Sequence, residues 1–254
     1  MKKLLLALIV VALPTVCRAG VRSRGPNPGV FVKTVASTST ADITYYWAMD
    51  SATSGQSPQK GSGTITIGAS WVSTTAVVGT NALYNSNTGN SGGKITVSST
   101  SWNFTAGRWG AYMILRESTG ASSIGDPFWI QGDTGTVATS KFILTVDSIG
   151  EWLLNYSNAN QLNLGTNLLT QNTTAFIEVA WDYTGATLGA PCKVFKDGIL
   201  QGTCSGTPNA GAPAGGTVQL GGQNANATAL VMDQFIYSTD PNRDLNALKN
   251  TTSF

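Results

Sequence analysis

Short runs of apolar and β-branched residues, each bounded by Gly, Pro, Asn, Asp or Ser, follow one another along the chain at 63–71, 94–98, 109–115, 127–131, 141–147, 151–156, 175–183, 217–220 and 230–237. Two further runs flank Asp197-Gly198 as the arms of a hairpin. Runs of this length with this punctuation predict β-strands, and their spacing predicts an all-β fold. In 175–183 the period of two places Ile177, Val179, Trp181 and Tyr183 on one face and Phe176, Glu178, Ala180 and Asp182 on the other. The first set is expected in the core and the second at least partly in water. Only Asn242 to Asn250 reads as a helix, with Leu245 and Leu248 three apart behind Asp240-Pro241. No repeat occurs at a solenoid or propeller period.

The N-terminus has a different pattern. Lys2 and Lys3 precede an apolar run from Leu4 to Leu13, then Pro14 and small residues around Cys17-Arg18-Ala19. This is the layout of a secretory signal, residues 1–19. The run falls short of the roughly 18 residues of a spanning helix, and no later segment reaches that length. The expectation is a secreted chain with no membrane insertion after signal removal. Residues 20–42, which include GPNPG and ASTSTAD, read as a flexible leader, and the folded domain is expected to occupy 43–254.

Past the signal two cysteines remain, Cys192 and Cys204, and an oxidising compartment predicts a disulfide between them. A two-residue Asp197-Gly198 loop would set Cys192 opposite Thr203, one position out of register. Bridging to Cys204 therefore requires a three-residue loop or a bulge, with Gly198 free to adopt the left-handed conformation.

Charge and composition then narrow the function. Removing residues 1–19 leaves 12 basic against 13 acidic residues, a net charge of about −1, with no basic cluster to meet a phosphate backbone. Nucleic acid is not an expected partner. The chain has no histidine and only three glutamates, Glu117, Glu151 and Glu178. Without imidazole there is no Ser-His-Asp triad and no His-ligated metal. A glycosidase needs two carboxyl groups about 5 to 10 Å apart, whereas Glu178 and Asp182, on one strand face, lie roughly 13 Å apart along the backbone. Catalysis is not expected.

Taken in order, the segments resemble the laminin-G-like, or concanavalin A-like, superfamily of lectins and glucanases. TYYWAMD at 44–50 is similar to the opening strand of that family, and Gly79-Thr80-Asn81-Ala82-Leu83-Tyr84 to its Gly-x-x-Ala-Leu segment. FIEVAWDY, KVFKDGIL, VQLGG and MDQFIYSTDPNRDLNAL follow its closing order. The resemblance implies a two-sheet antiparallel jelly-roll sandwich with a short C-terminal helix, its first and last strands side by side. It also implies a non-catalytic module that recognises carbohydrate or glycoprotein. The alternative is a structural surface or virion-appendage protein that binds another chain, and a third reading is an unusual glycoside hydrolase.

Two groups of candidate site residues follow. Sugar rings stack on aromatic faces while amides bind their hydroxyls, which singles out Trp102, Trp129 and Tyr156 with Asn158 and Asn160. No organic cofactor is expected. Asp50 and Asp233, at the end of the first strand and the start of the last, could hold a structural calcium or simply accept backbone N–H groups.

Overall fold

The computed structural model describes residues 39–69, 71–85, 95–99, 102, 105–116, 128–131, 140–146, 151–156, 161–206, 216–220 and 230–254. They contain the strands β1 (Ile43–Trp47), β2 (Thr64–Ile67), β3 (Trp71–Thr75), β4 (Asn81–Asn85), β5 (Ile95–Ser99), β6 (Ala106–Leu115), β7 (Phe128–Gln131), β8 (Ser140–Val146), β9 (Trp152–Asn155), β10 (Gln161–Gly165), β11 (Thr174–Asp182), β12 (Cys192–Lys196), β13 (Ile199–Thr203), β14 (Gly216–Leu220) and β15 (Leu230–Ser238). All of their pairings are antiparallel.

Two sheets form a β-sandwich. One has eight strands in the order β13-β12-β11-β6-β15-β4-β3, with β1 also on β15; the other has seven, β10-β9-β8-β7-β14-β5-β2. The core between them takes Tyr45, Trp47, Trp109, Ile177, Val179, Trp181 and Tyr237 from the first sheet, and Ile65, Ile95, Val97, Leu144, Trp152, Leu154, Val218 and Leu220 from the second. The first strand does lie beside the last: Tyr45, Tyr46 and Trp47 pair with Tyr237, Ile236 and Phe235.

The hairpin resolves its register by a bulge. Asp197 (φ 52°) and Gly198 (φ 80°) make a two-residue turn, so Lys196 faces Ile199 and Phe195 faces Leu200. One extra residue then shifts the register, Val194 faces Gly202, and the Cys204 N–H reaches the Cys192 carbonyl at 2.8 Å. A disulfide joins Cys192 and Cys204.

Two expectations are corrected. The second face of β11 is not wet: Phe176, Glu178, Ala180 and Asp182 are all buried. The segment that follows β15 folds back over the outer face of the eight-stranded sheet, where Leu245, Leu248 and Phe254 pack with Ile43, Tyr46, Tyr112, Phe176 and Ile236 in a second apolar cluster. The period of two cannot separate inside from outside on a strand covered on both faces. The helix expected at 242–250 is a 3-10 turn, Asn246–Leu248. With three residues per turn, that geometry sets Leu245 and Leu248 above one another, and both are buried.

One ion pair fastens this strap. Glu178 is 0 % exposed, and its Oε1 accepts from Arg108 Nε at 3.0 Å, Arg108 Nη2 at 2.9 Å and the Leu245 N–H at 2.9 Å. Burial holds the Glu178 pKa above the usual carboxylate value, the nearby Arg108 pulls it back down, and Asp244 adds to the rise. Arg108 also lies over the Phe195 ring at 4.0 Å. Removing one partner of such a pair strands the other charge in a dry site. The Glu178→Ala variant is expected to lose about 3 kcal/mol or more of stability in chemical denaturation. Amides of 245–251 should exchange faster in the same variant.

Candidate functional site

Asp50 and Asp233 meet at a single loop. The edge of β15 is shared: Leu230, Val231 and Met232 pair with β4, and Phe235 onward with β1. The change of partner falls at a bulge around Gln234, which has φ 54°. Across the gap run residues 77–80, outside any strand, and Asn81, the first residue of β4. Asp233 Oδ2 accepts from Val77 and Val78, both at 2.8 Å; Asp50 Oδ1 accepts from Thr80 at 3.0 Å and Asn81 at 2.9 Å. Gly79 lies between them at φ +82°, and a Cβ there would sit 3.2 Å from Asp50 Oδ1. Burial raises the Asp233 pKa from 3.8 to about 6 against the pull of the Val78 and Val77 N–H groups, and the neighbouring Asp50 charge adds to the rise.

This donor set does not fit calcium. The ion takes six to eight oxygens. Here each carboxylate has one oxygen committed to N–H donors, Asp233 Oδ1 is the buried oxygen left without a partner, and no group of three His, Cys, Asp or Glu gathers among the described residues. The two aspartates cap a loop.

The residues singled out for sugar stacking separate. Trp102 is 7 % exposed and packs on Tyr45 and Tyr237, with ring centroids at 4.8 and 4.9 Å. Tyr156 is 3 % exposed; its hydroxyl donates to the Ser205 carbonyl and accepts the Ser205 N–H. Both are core residues, which corrects their expected place on the rim. Tryptophan and tyrosine beside turn residues read alike whether a ring points in or out, and only packing decides. Asn158 and Asn160 lie outside the described residues.

Trp129 falls elsewhere, on β7, at the middle of a row that crosses the whole seven-stranded sheet. From β10 to β2, register aligns Gln161, Asn155, Ile143, Trp129, Gln219, Thr96 and Thr66. Directly opposed residues share a face. Val218 and Leu220 point into the core, so Gln219 between them faces the other way. Exposure falls toward its middle: Gln161 and Thr66 are exposed, Asn155 and Thr96 intermediate, and Gln219 is 7 % exposed. The adjoining row holds Thr64, Ser98, Thr217 and Gln131. The described side chains of the row, Gln161, Asn155, Gln219, Thr96 and Thr66, are amides and hydroxyls, and Trp129 takes the register position between Ile143 and Gln219. Sequence reading missed Gln161, Gln219, Thr96 and Thr66; the alternation in TITI, ITVS and TVQL marks several such positions as outward, but register alone aligns them.

At the other end of β11, Asp182 makes its own loop. Its two oxygens accept from Thr184 N, Thr184 Oγ1, Thr187 N and Leu188 N at 2.7 to 3.1 Å. Burial would raise its pKa, but these hydrogen bonds outweigh burial and hold it low.

Fold and face together define a β-sandwich protein. No protein-family model and no curated protein matches the chain. Solved structures do. Domain 4 of an extracellular GH43 arabinanase from Geobacillus stearothermophilus, in complex with arabinotriose, is 13 % identical, with TM-score 0.55 over 83 % of this chain and 98 % of that one. A Trypanosoma rangeli sialidase in complex with the inhibitor DANA is 14 % identical, with TM-score 0.60 over 85 % of this chain but 33 % of its own. The binding domain of botulinum neurotoxin serotype D is 14 % identical, with TM-score 0.57 over 83 % and 52 %. The chain thus spans about a third of the sialidase, and likeness at this identity establishes the fold. It also overturns one expectation: the sandwich occurs inside glycosidases, so the absence of catalysis expected from the sequence does not stand.

The capping role of Asp233 has a pH signature. With its folded pKa raised from 3.8 to about 6, its contribution to stability is full below 3.8 and is lost as pH rises through 6. The melting temperature of wild type relative to Asp233→Asn is expected to fall between those two values, with calcium or a chelator leaving both proteins unchanged.

Proposed function

We propose that residues 43–254 are a secreted carbohydrate-binding module of the jelly-roll, laminin-G-like kind, and that its site is the outer face of the seven-stranded sheet. The observation that supports this is the register-matched row, in which residue 129 carries a tryptophan with Gln219 beside it on one side and Asn155 two strands away on the other. Saccharides present apolar ring faces and a rim of hydroxyls, so they are held by an aromatic plane flanked by amides and hydroxyls. Of the residues singled out from the sequence, Trp129 takes a position in this row. Domain 4 of the arabinanase, 98 % of which this chain matches, is a structure solved in complex with arabinotriose.

Binding to a panel of immobilised polysaccharides tests the reading. Wild type is expected to bind at least one polymer, with free oligosaccharide competing. Trp129→Ala should weaken that binding about tenfold or more, the loss of one stacking partner, with its melting transition retained. Binding that Trp129→Ala leaves untouched would rule out this face.

A further inference from the structure

We infer that the loop joining β11 to β12 carries a second binding site, separate from the seven-stranded sheet, and that it takes a single neutral sugar residue. The site is a cavity of about 320 Å³ between the loop at 183–191 and the chain that leaves β13. Tyr183, Ala190 and Pro191 line it, together with Gly185, Gly189 and Gly206.

Both walls are pinned. On one, the Asp182 N–H donates to the Pro191 carbonyl at 2.9 Å, and the Tyr183 N–H donates to the Thr105 carbonyl at 2.9 Å. On the other, Cys204 is bridged to Cys192, the residue after Pro191, and the Tyr156 hydroxyl holds the carbonyl and the N–H of Ser205, the residue before Gly206. The disulfide thus ties the two walls to each other. A cavity built before its ligand arrives costs little ordering on binding.

The hydrogen bonds of the loop select the ligand. Every N–H from Tyr183 to Gly189 is committed inside the fold. Those of Thr184, Thr187 and Leu188 go to the Asp182 carboxylate, and that of Gly185 to the Asp182 carbonyl. Ala186 donates to Thr184 Oγ1 and Gly189 to the Gly185 carbonyl. Pro191 has no N–H. What this stretch has left to offer is carbonyl oxygen, an acceptor that a hydroxyl can use and that a phosphate or carboxylate cannot. Tyr183 stays neutral, since burial pushes its pKa above the usual tyrosine value, and residues 207–215, next along the chain, hold no ionisable side chain.

Tyr183 is partly exposed and leans on the core, so with Pro191 it gives the cavity a rigid apolar surface. A sugar carries an apolar ring face and a rim of hydroxyl donors, and meets an aromatic ring and carbonyl oxygens with both. An apolar peptide side chain would leave the carbonyls unmatched. The volume lies at the low end of the roughly 300 to 1,000 Å³ of small-molecule sites, which suits one ring. Gly189 has φ +72°, and a Cβ there would meet nothing within 4 Å, so a side chain at this position enters open space. Asparagine tolerates that backbone conformation.

The experiment titrates the isotopically labelled full chain with the methyl glycosides of arabinose, glucose, galactose and N-acetylglucosamine, and separately with inorganic phosphate and calcium chloride. At least one glycoside is expected to shift the amide signals of Gly185, Gly189 and Gly206 saturably. Tyr183→Ala should weaken that binding about tenfold or more, and Gly189→Asn should weaken it with the melting transition retained. Should Tyr183→Ala fail to fold, Gly189→Asn carries the test. Shifts of the same amides by phosphate or calcium, with none by a glycoside, would overturn the sugar assignment. Glycoside binding that moves other amides, binding that Gly189→Asn leaves unchanged, or no binding at all would overturn the site. None of these outcomes depends on Trp129, so the polysaccharide reading of the seven-stranded sheet stands or falls separately.

Discussion

One strand edge must serve two partners. β15 sits against β6 along its length, while its other edge is divided between β4 and β1, and at the division residues 77–80 run outside any strand up to Asn81 at the start of β4. Unpaired N–H groups in such a place are costly. Asp233 and Asp50 answer this by accepting four of them. Each aspartate adjoins a residue in the left-handed region, Gln234 at φ 54° and Met49 at φ 59°. Non-glycine residues adopt that conformation at a cost of order 1 kcal/mol or more, accepted where surrounding structure requires it. The sandwich depends on this junction because the first and last strands and the approach to β4 all meet there.

The two sheets treat their outer faces in opposite ways. On the eight-stranded sheet the outer face is apolar, and the strap from Arg243 to Phe254 covers it, fastened by Glu178, by Tyr112 Oη donating to Asn250 and by Gln234 Nε2 donating to the Thr251 carbonyl. The strands beneath are buried on both sides. On the seven-stranded sheet β2 alternates cleanly: Thr64 and Thr66 are exposed while Ile65 and Ile67 are buried. Fold likeness to an arabinanase domain, a sialidase and a neurotoxin binding domain is compatible with that division but does not select a ligand.

Much of the fold was legible from residue patterns, because strands and turns are set by local chemistry. Apolar runs between Gly, Asn and Asp marked most strands, and Asp197-Gly198 marked its turn; β10, with its sequence QLNLG, was not anticipated, since Gln, Asn and Gly weaken the strand signal. The hairpin shows where local information ends. Its cysteine pairing required either a longer loop or a bulge, and only the packed sheet chose the bulge.

What the sequence by itself determined is the all-β class, the place of the turns, the bridge between Cys192 and Cys204 and the aspartates at the ends of the first and last strands. These follow from dihedral preference, period and spacing, which neighbours along the chain decide. Tertiary structure alone decided that Trp102 and Tyr156 are core, that Glu178 is dry beneath the strap, and that Gln161, Trp129 and Thr66 fall on one line. A ring or a carboxylate carries no mark of which side will be covered, and residues scattered from 66 to 219 become neighbours only when antiparallel registers align them.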